Sequence, residues 1–296
     1  MDVTYTTLVE THELDRLLDR DGVVIIDCRH SLADPSRGAQ QYRDGHIPGA
    51  WFLHLDRDLS GPTTGSNGRH PLPDPRRLAA RLGEIGVGPG VQVVAYDEAN
   101  CMVSVRVWWL LNWLGHPDVA VLNGGFSRWL SEARPVTTDL PATPAARRFA
   151  VSLSMPTVDA DYVLGHLHRP DITIVDARGA DRYRGENETI DPVAGHIPGS
   201  FNRPFADNLA ADGRFKPIAQ LRDEFTRLLR GRDPATVVHS CGSGVSACHN
   251  ILAMKMIGMD AALTLYPGSW SHWCGDPTRP TATGDDDHAG PSQLES

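Results

Sequence analysis

The sequence predicts an α/β protein made of one domain twice, each copy a mostly parallel sheet covered by helices on both faces. Three observations predict it. Short apolar strands alternate with helical stretches along the whole chain, the pattern of parallel strands joined by helical crossovers. The same markers recur in the same order in both halves, which chance similarity does not preserve. And where one strand of each half runs into a helix, the first half has Asp97 and the second has Cys241.

The markers can be followed in order. An apolar strand ends in Asp27-Cys28-Arg29 in the first half and in Asp176-Ala177-Arg178 in the second. Gly45-His46-Ile47-Pro48-Gly49 is matched by Gly195-His196-Ile197-Pro198-Gly199. Val93-Val94-Ala95-Tyr96-Asp97 is matched by Val237-Val238-His239-Ser240-Cys241, and each half closes on Gly124-Gly125-Phe126-Ser127-Arg128-Trp129 or Gly268-Ser269-Trp270-Ser271-His272-Trp273. These matches place the first domain at residues 1–134 and the second at 157–280. Between them Pro135 to Pro156 is rich in Pro, Ala and Thr without sustained periodicity, and reads as a linker. The end from Thr281 to Ser296, with Asp285-Asp286-Asp287 and few apolar residues, reads as a disordered tail.

Composition narrows the class. The 296 residues fit two domains able to bury their own cores, and 41% apolar content is that of a globular protein. Lys plus Arg number 28 against 37 Asp plus Glu, a formal charge of −9, with no basic run, which argues against nucleic-acid binding. Met1 to Glu13 lacks a basic start and an apolar run, and no segment approaches the roughly 18 apolar residues of a membrane span. Five cysteines are an odd, sparse set that does not suit a disulfide framework. The expectation is a cytoplasmic protein with reduced thiols, no membrane partner and no nucleic-acid partner.

Cys241 falls at the carboxyl end of a strand, where open α/β sheets bind ligands. The residues after it, Gly242-Ser243-Gly244-Val245-Ser246-Ala247, are small enough for the backbone to curl around the sulfur and aim several N–H groups at one anion. The following helix adds the partial positive charge of its N-terminus. Both effects favour thiolate, so Cys241 reads as a nucleophile, although an isolated free cysteine is more often a small buried residue. Cys248 lies on the apolar stripe of that helix with Val245, Ile251, Leu252 and Met256, and reads as core; Gly258 reads as the stop. Cys28, Cys101 and Cys274 lack such a loop and read as structural.

Two other chemistries use similar residues. A phosphatase built on a cysteine loop needs an arginine to clamp phosphate at the sixth residue after the cysteine, and here that residue is Ala247. Cys248-His249 has no second ligand pair, so no zinc or other metal is expected.

Taken together, these residues resemble the two-domain rhodanese family of sulfurtransferases, from about Val3 to Trp273. The loop is similar to the Cys-Gly-Ser-Gly-Val-Thr of 3-mercaptopyruvate sulfurtransferases, with Ser246 for Thr, and lacks the basic residues of thiosulfate enzymes. The resemblance implies that Arg182 binds the donor's carboxylate, beside the amides of Gly242, Gly244, Val245, Ser246 and Ala247. It implies that Ser243, His46 and an acid, for which Asp34 is the candidate, form a relay beside Cys241, while for His46 or His196 alone a turn-stabilising hydrogen bond is an equally good reading. It further implies no cofactor, a small anionic sulfur donor, and a thiol, a thioredoxin-type dithiol or cyanide as acceptor. A second arginine usual in mercaptopyruvate enzymes is missing from Glu186 to Ala194, with Arg184 nearby as a substitute. Thiosulfate as donor, and a noncatalytic persulfide carrier, remain the alternatives. Arg178 reads as an ion-pair partner of Asp176 rather than a substrate ligand.

Overall fold

A computed structural model describes residues 4–148, 150–167 and 169–285. The first half forms a five-stranded sheet from β1 (Leu8–Val9), β2 (Val23–Asp27), β3 (Ala50–Phe52), β4 (Gln92–Tyr96) and β5 (Val119–Leu122), in the order β1-β5-β4-β2-β3. The second forms a four-stranded sheet from β6 (Thr173–Asp176), β7 (Phe201–Asn202), β8 (Val237–Ser240) and β9 (Thr264–Leu265), in the order β7-β6-β8-β9. Every strand pair is parallel, and the central strands are buried almost end to end, which is why they read as unbroken apolar runs. The counterpart of β1 in the second half shrinks to one parallel bridge, Thr157 to Leu265.

The repeat markers have a shared physical basis. In each half the strand-end aspartate grips the arginine two residues on: Asp27 accepts from Arg29 at 2.6 Å and Asp176 from Arg178 at 2.8 Å. Each guanidinium then donates to the first glycine of the Gly-His-Ile-Pro-Gly turn, at Gly45 O and Gly195 O. The closing motifs hold the loops at Asp97 and Cys241 by their backbones. Phe126 N and Ser127 N donate to Asp97 O and Glu98 O, and Trp270 N and Ser271 N donate to Cys241 O and Gly242 O.

Helices Ser104–Trp113 and Ala247–Met256 follow these two loops, and they pack against each other. Both are apolar on nearly every face, as a helix must be when it is covered on one side by its own sheet and on the other by its twin. One continuous core therefore runs through both halves, from Val24 and Trp109 to Ile251 and Met254.

Among its described residues the segment 135–156 has no helix or strand, but it is tied along the first half: Thr137 pairs with His46, Arg147 N donates to Gly83 O and Ser152 N to Leu114 O. The start of the expected tail is tied down as well: Ala282 pairs with His196 in both directions and Gly284 N donates to Arg184 O. The rest of that expected tail, 286–296, lies outside the described residues.

Burial holds His239 at about 4 and His249 at about 3. The unfolded chain takes up these protons near pH 6.5, so below that pH the unfolded state binds more protons and the fold loses stability as pH falls. The expected loss approaches about 1.4 kcal/mol per pH unit for each histidine. Urea midpoints between pH 6.5 and 5 check this; His249→Gln should flatten part of the slope, and a midpoint independent of pH would contradict it.

Candidate active site

Cys241 directly follows β8, which ends at Ser240, and is 1% exposed. Gly244 N donates toward its Sγ at 3.1 Å and Ser243 N at 3.4 Å. The N–H groups of Val245, Ser246 and Ala247 find no acceptor among the described residues, as expected where a helix begins. The cup therefore has bound and spare donors for an anion on or next to the sulfur. Gly244 makes the turn: its φ is +75°, and a Cβ there would meet Pro267 O at 2.4 Å. The equivalent cup of the first half is filled from within, since Asp97 accepts from the N–H groups of Cys101, Val103 and Ser104 at 2.7 to 3.0 Å.

The relay around Ser243 differs from the expected one. His46 is fully buried and lies flat on Tyr42, with Nδ1 2.7 Å from Tyr42 O and Nε2 3.1 Å from Asp139 O. His196 repeats the stacking on Tyr183, so this histidine fastens the turn in both halves. Asp34 is exposed and accepts from Ser36 at a helix start. The histidine on Ser243 is His70, with Nδ1 2.7 Å from Ser243 Oγ and Nε2 3.1 Å from Asp56 Oδ1. Burial brings His70 down to about 4, against the pull of Asp56, so its imidazole is neutral at physiological pH. With Nε2–H on Asp56, Nδ1 is left to accept the Ser243 hydroxyl proton.

A sequence signal for His70 existed. Gly68-Arg69-His70 is repeated as Gly213-Arg214-Phe215, and the change from His70 to Phe215 accompanies the change from Cys241 to Asp97 and from Ser243 to Ala99. The first half has thus lost, at one mirrored site, the nucleophile and the hydroxyl, and its partner has lost the histidine.

The loop has no basic residue of its own, but three arginines approach it. Arg182 lies against Gly242, where an added Cβ would sit 3.8 Å from its Nη1 and 2.8 Å from Arg69 Nη2. Arg69 comes from the first half, on a segment docked by its N–H to Ser271 Oγ. Arg106, wholly buried in the helix Ser104–Trp113, donates to Gly244 O at 3.0 Å and to His70 O at 3.3 Å. Arg184 pairs with Glu186 at 2.7 Å, and Arg178 is occupied by Asp176 as expected.

The other cysteines are inert by placement. Burial pushes Cys248 up to about 12 and raises Cys28, Cys101 and Cys274. His249 is taken up by Asn208 and Asn100 O, which removes it as a zinc ligand beside Cys248. Among the described residues, His30, His54 and Asp56 are the group whose ligand atoms, within 4.8 Å of one another, could hold a metal ion.

Comparison with known proteins agrees with this geometry. The chain is 45% identical over 281 residues to a probable 3-mercaptopyruvate sulfurtransferase of Pseudomonas aeruginosa, covering 94% of this chain and 98% of that protein. It is 38% identical over 270 residues to a putative thiosulfate sulfurtransferase of Mycobacterium tuberculosis, covering 89% and 92%. Its fold is similar to the 3-mercaptopyruvate enzyme SseA of Escherichia coli, with a TM-score of 0.76 at 30% identity over 90% of this chain and 100% of that one. The sequence profile of the rhodanese-like domain matches twice, at residues 10–132 and 159–276. With two such matches over most of its length, the chain belongs to the rhodanese family.

Proposed function

We propose that the protein is an enzyme that moves a sulfane sulfur from 3-mercaptopyruvate, through a persulfide on Cys241, to a thiol, a thioredoxin-type dithiol or cyanide. The observation that carries this reading is the Ser243–His70–Asp56 chain beside the cysteine. Mercaptopyruvate leaves as an enolate that must gain a proton, whereas thiosulfate leaves as sulfite and needs none. A proton relay that starts from a buried serine and histidine has work to do for the first donor only.

The Cys241 thiolate attacks the donor's sulfur, the S–S bond forms, and the C–S bond breaks with its electron pair passing into the enolate of pyruvate. Neutral His70, through Ser243, takes the proton of the donor's thiol and returns it to the enolate carbon, so pyruvate leaves and the negative charge stays on the outer persulfide sulfur. The spare amides of Val245, Ser246 and Ala247 stabilise that charge. The acceptor then attacks the outer sulfur, and Cys241 departs as thiolate. Arg182 and Arg69 hold the donor's carboxylate while this occurs.

Five free, buried cysteines suit a reducing cytoplasm, and among the described residues no helix is long and apolar enough to cross a membrane.

The donor assignment is checked by kcat/KM for 3-mercaptopyruvate and thiosulfate with cyanide as common acceptor; mercaptopyruvate should be strongly preferred. His70→Ala should lower kcat with mercaptopyruvate by about 10²-fold or more and spare turnover of thiosulfate, while His46→Ala should lower thermal stability first. Equal losses with both donors would remove the relay from the mechanism. Arg182→Ala should raise KM for mercaptopyruvate by roughly 10- to 150-fold, the equivalent of about 1.5 to 3 kcal/mol for a lost charge-assisted contact; an unchanged KM would refute its role.

A further inference from the structure

The arginines that face Cys241 are already paired. Arg69 Nη1 and Arg182 Nη2 both bind Asp191, one on each carboxylate oxygen, so this residue bridges a guanidinium from each half of the chain. Arg182 also donates from Nε and Nη2 to Glu188, at 2.9 to 3.1 Å. Glu188 is fixed in turn by the N–H groups of Ile190 and Asp191. Both carboxylates are nearly sealed, each 2% exposed, while the arginines are 28% and 20% exposed. The charges of Arg69 and Arg182 are therefore offset by two buried carboxylates, of which Glu188 is shared with Arg178.

The pairing leaves specific N–H groups unused. Arg69 Nε is buried without a partner among the described residues, and Arg69 Nη2 and Arg182 Nη1 lie toward Gly242. A donor with one carboxylate can take these N–H groups even though Asp191 and Glu188 already offset the two arginines, because directed hydrogen bonds suffice for one charge on a planar group. A compact dianion fares differently. The repulsion from a fixed buried carboxylate acts on each of its two charges, so it loses about twice what a monoanion loses.

Building on the sulfurtransfer reading above, we infer that Asp191 is a specificity-determining residue: its carboxylate, held between Arg69 and Arg182, makes the donor site select monoanionic carboxylate donors over dianions of the thiosulfate class. The residue does not touch the reacting sulfur. It sets the charge that the arginines present to whatever arrives at Cys241.

The test is kcat/KM for thiosulfate and for 3-mercaptopyruvate, each with cyanide, in the wild type, Asp191→Asn and Asp191→Glu. Asp191→Asn keeps the shape and an acceptor oxygen but removes the charge. It should raise the thiosulfate-to-mercaptopyruvate ratio at least tenfold, chiefly through a lower KM for thiosulfate, and the gain should shrink as salt is added. Asp191→Glu should restore the ratio toward that of the wild type. Glu188→Gln should shift the ratio in the same direction and supplies the test if Asp191→Asn does not fold. A ratio unchanged within twofold, or equal losses with both donors, would show that Asp191 merely holds the arginines in place and would overturn the inference. A wild type that already prefers thiosulfate would overturn it as well. A wild type without Cys241-dependent turnover of either donor would instead bring down the sulfurtransfer reading, and this inference with it.

Discussion

The buried guanidinium of Arg106 is the contact on which the site depends. It sits in the first half, yet it binds Gly244 O in the nucleophile loop of the second half and His70 O in the segment that carries the relay histidine. Gly244 turns its N–H toward the Cys241 sulfur and sends its carbonyl into the buried core, where the Cys248 thiol lies at 3.5 Å. A carbonyl left unpaired there would cost about 1 to 3 kcal/mol. Arg106 satisfies it and fixes His70 at the same time. The loop, the relay and the packed pair of central helices thus share one anchor.

This anchor explains the division of labour between two nearly equivalent halves. The second half supplies Cys241, the proposed nucleophile, and the amides around it. The first supplies His70, Arg69 and Arg106, which reach the second half's loop from outside it, and Asp56, which reaches it through His70. At the mirrored site, Asp97 occupies the cup with its own carboxyl group, and Phe215 stacks on His249 at 4.4 Å. That site is an interface plug, closed by a carboxylate and an aromatic ring.

The tandem α/β architecture was legible in the sequence because repetition and apolar runs are local signals. Cys241 and its loop were legible for the same reason: glycine spacing at a strand's end constrains the backbone whatever surrounds it. The sequence sets Ser243 beside the cysteine and offers His46 as its histidine, whereas His70 holds that place, and the difference has a physical cause. A residue present at the same place in both halves, such as His46 and His196, serves what both halves need, which is the turn. Chemistry confined to one half resides where the halves differ, and His70 against Phe215 is such a difference. Asp56 and Arg69 were beyond reach, because only the packing of one half on the other brings them to Cys241. Arg69, the arginine that stands beside Arg182 across Asp191, likewise comes from a distant loop of the first half.

The central claim is that Cys241 carries the sulfur between two half-reactions. The most direct measurement is intact-protein and peptide mass spectrometry after exposure to 3-mercaptopyruvate with no acceptor present. The account predicts one added sulfur atom per chain, located on Cys241, released by cyanide and matched by one pyruvate. Sulfur on a different cysteine, or pyruvate release without sulfur retained on the protein, would contradict it.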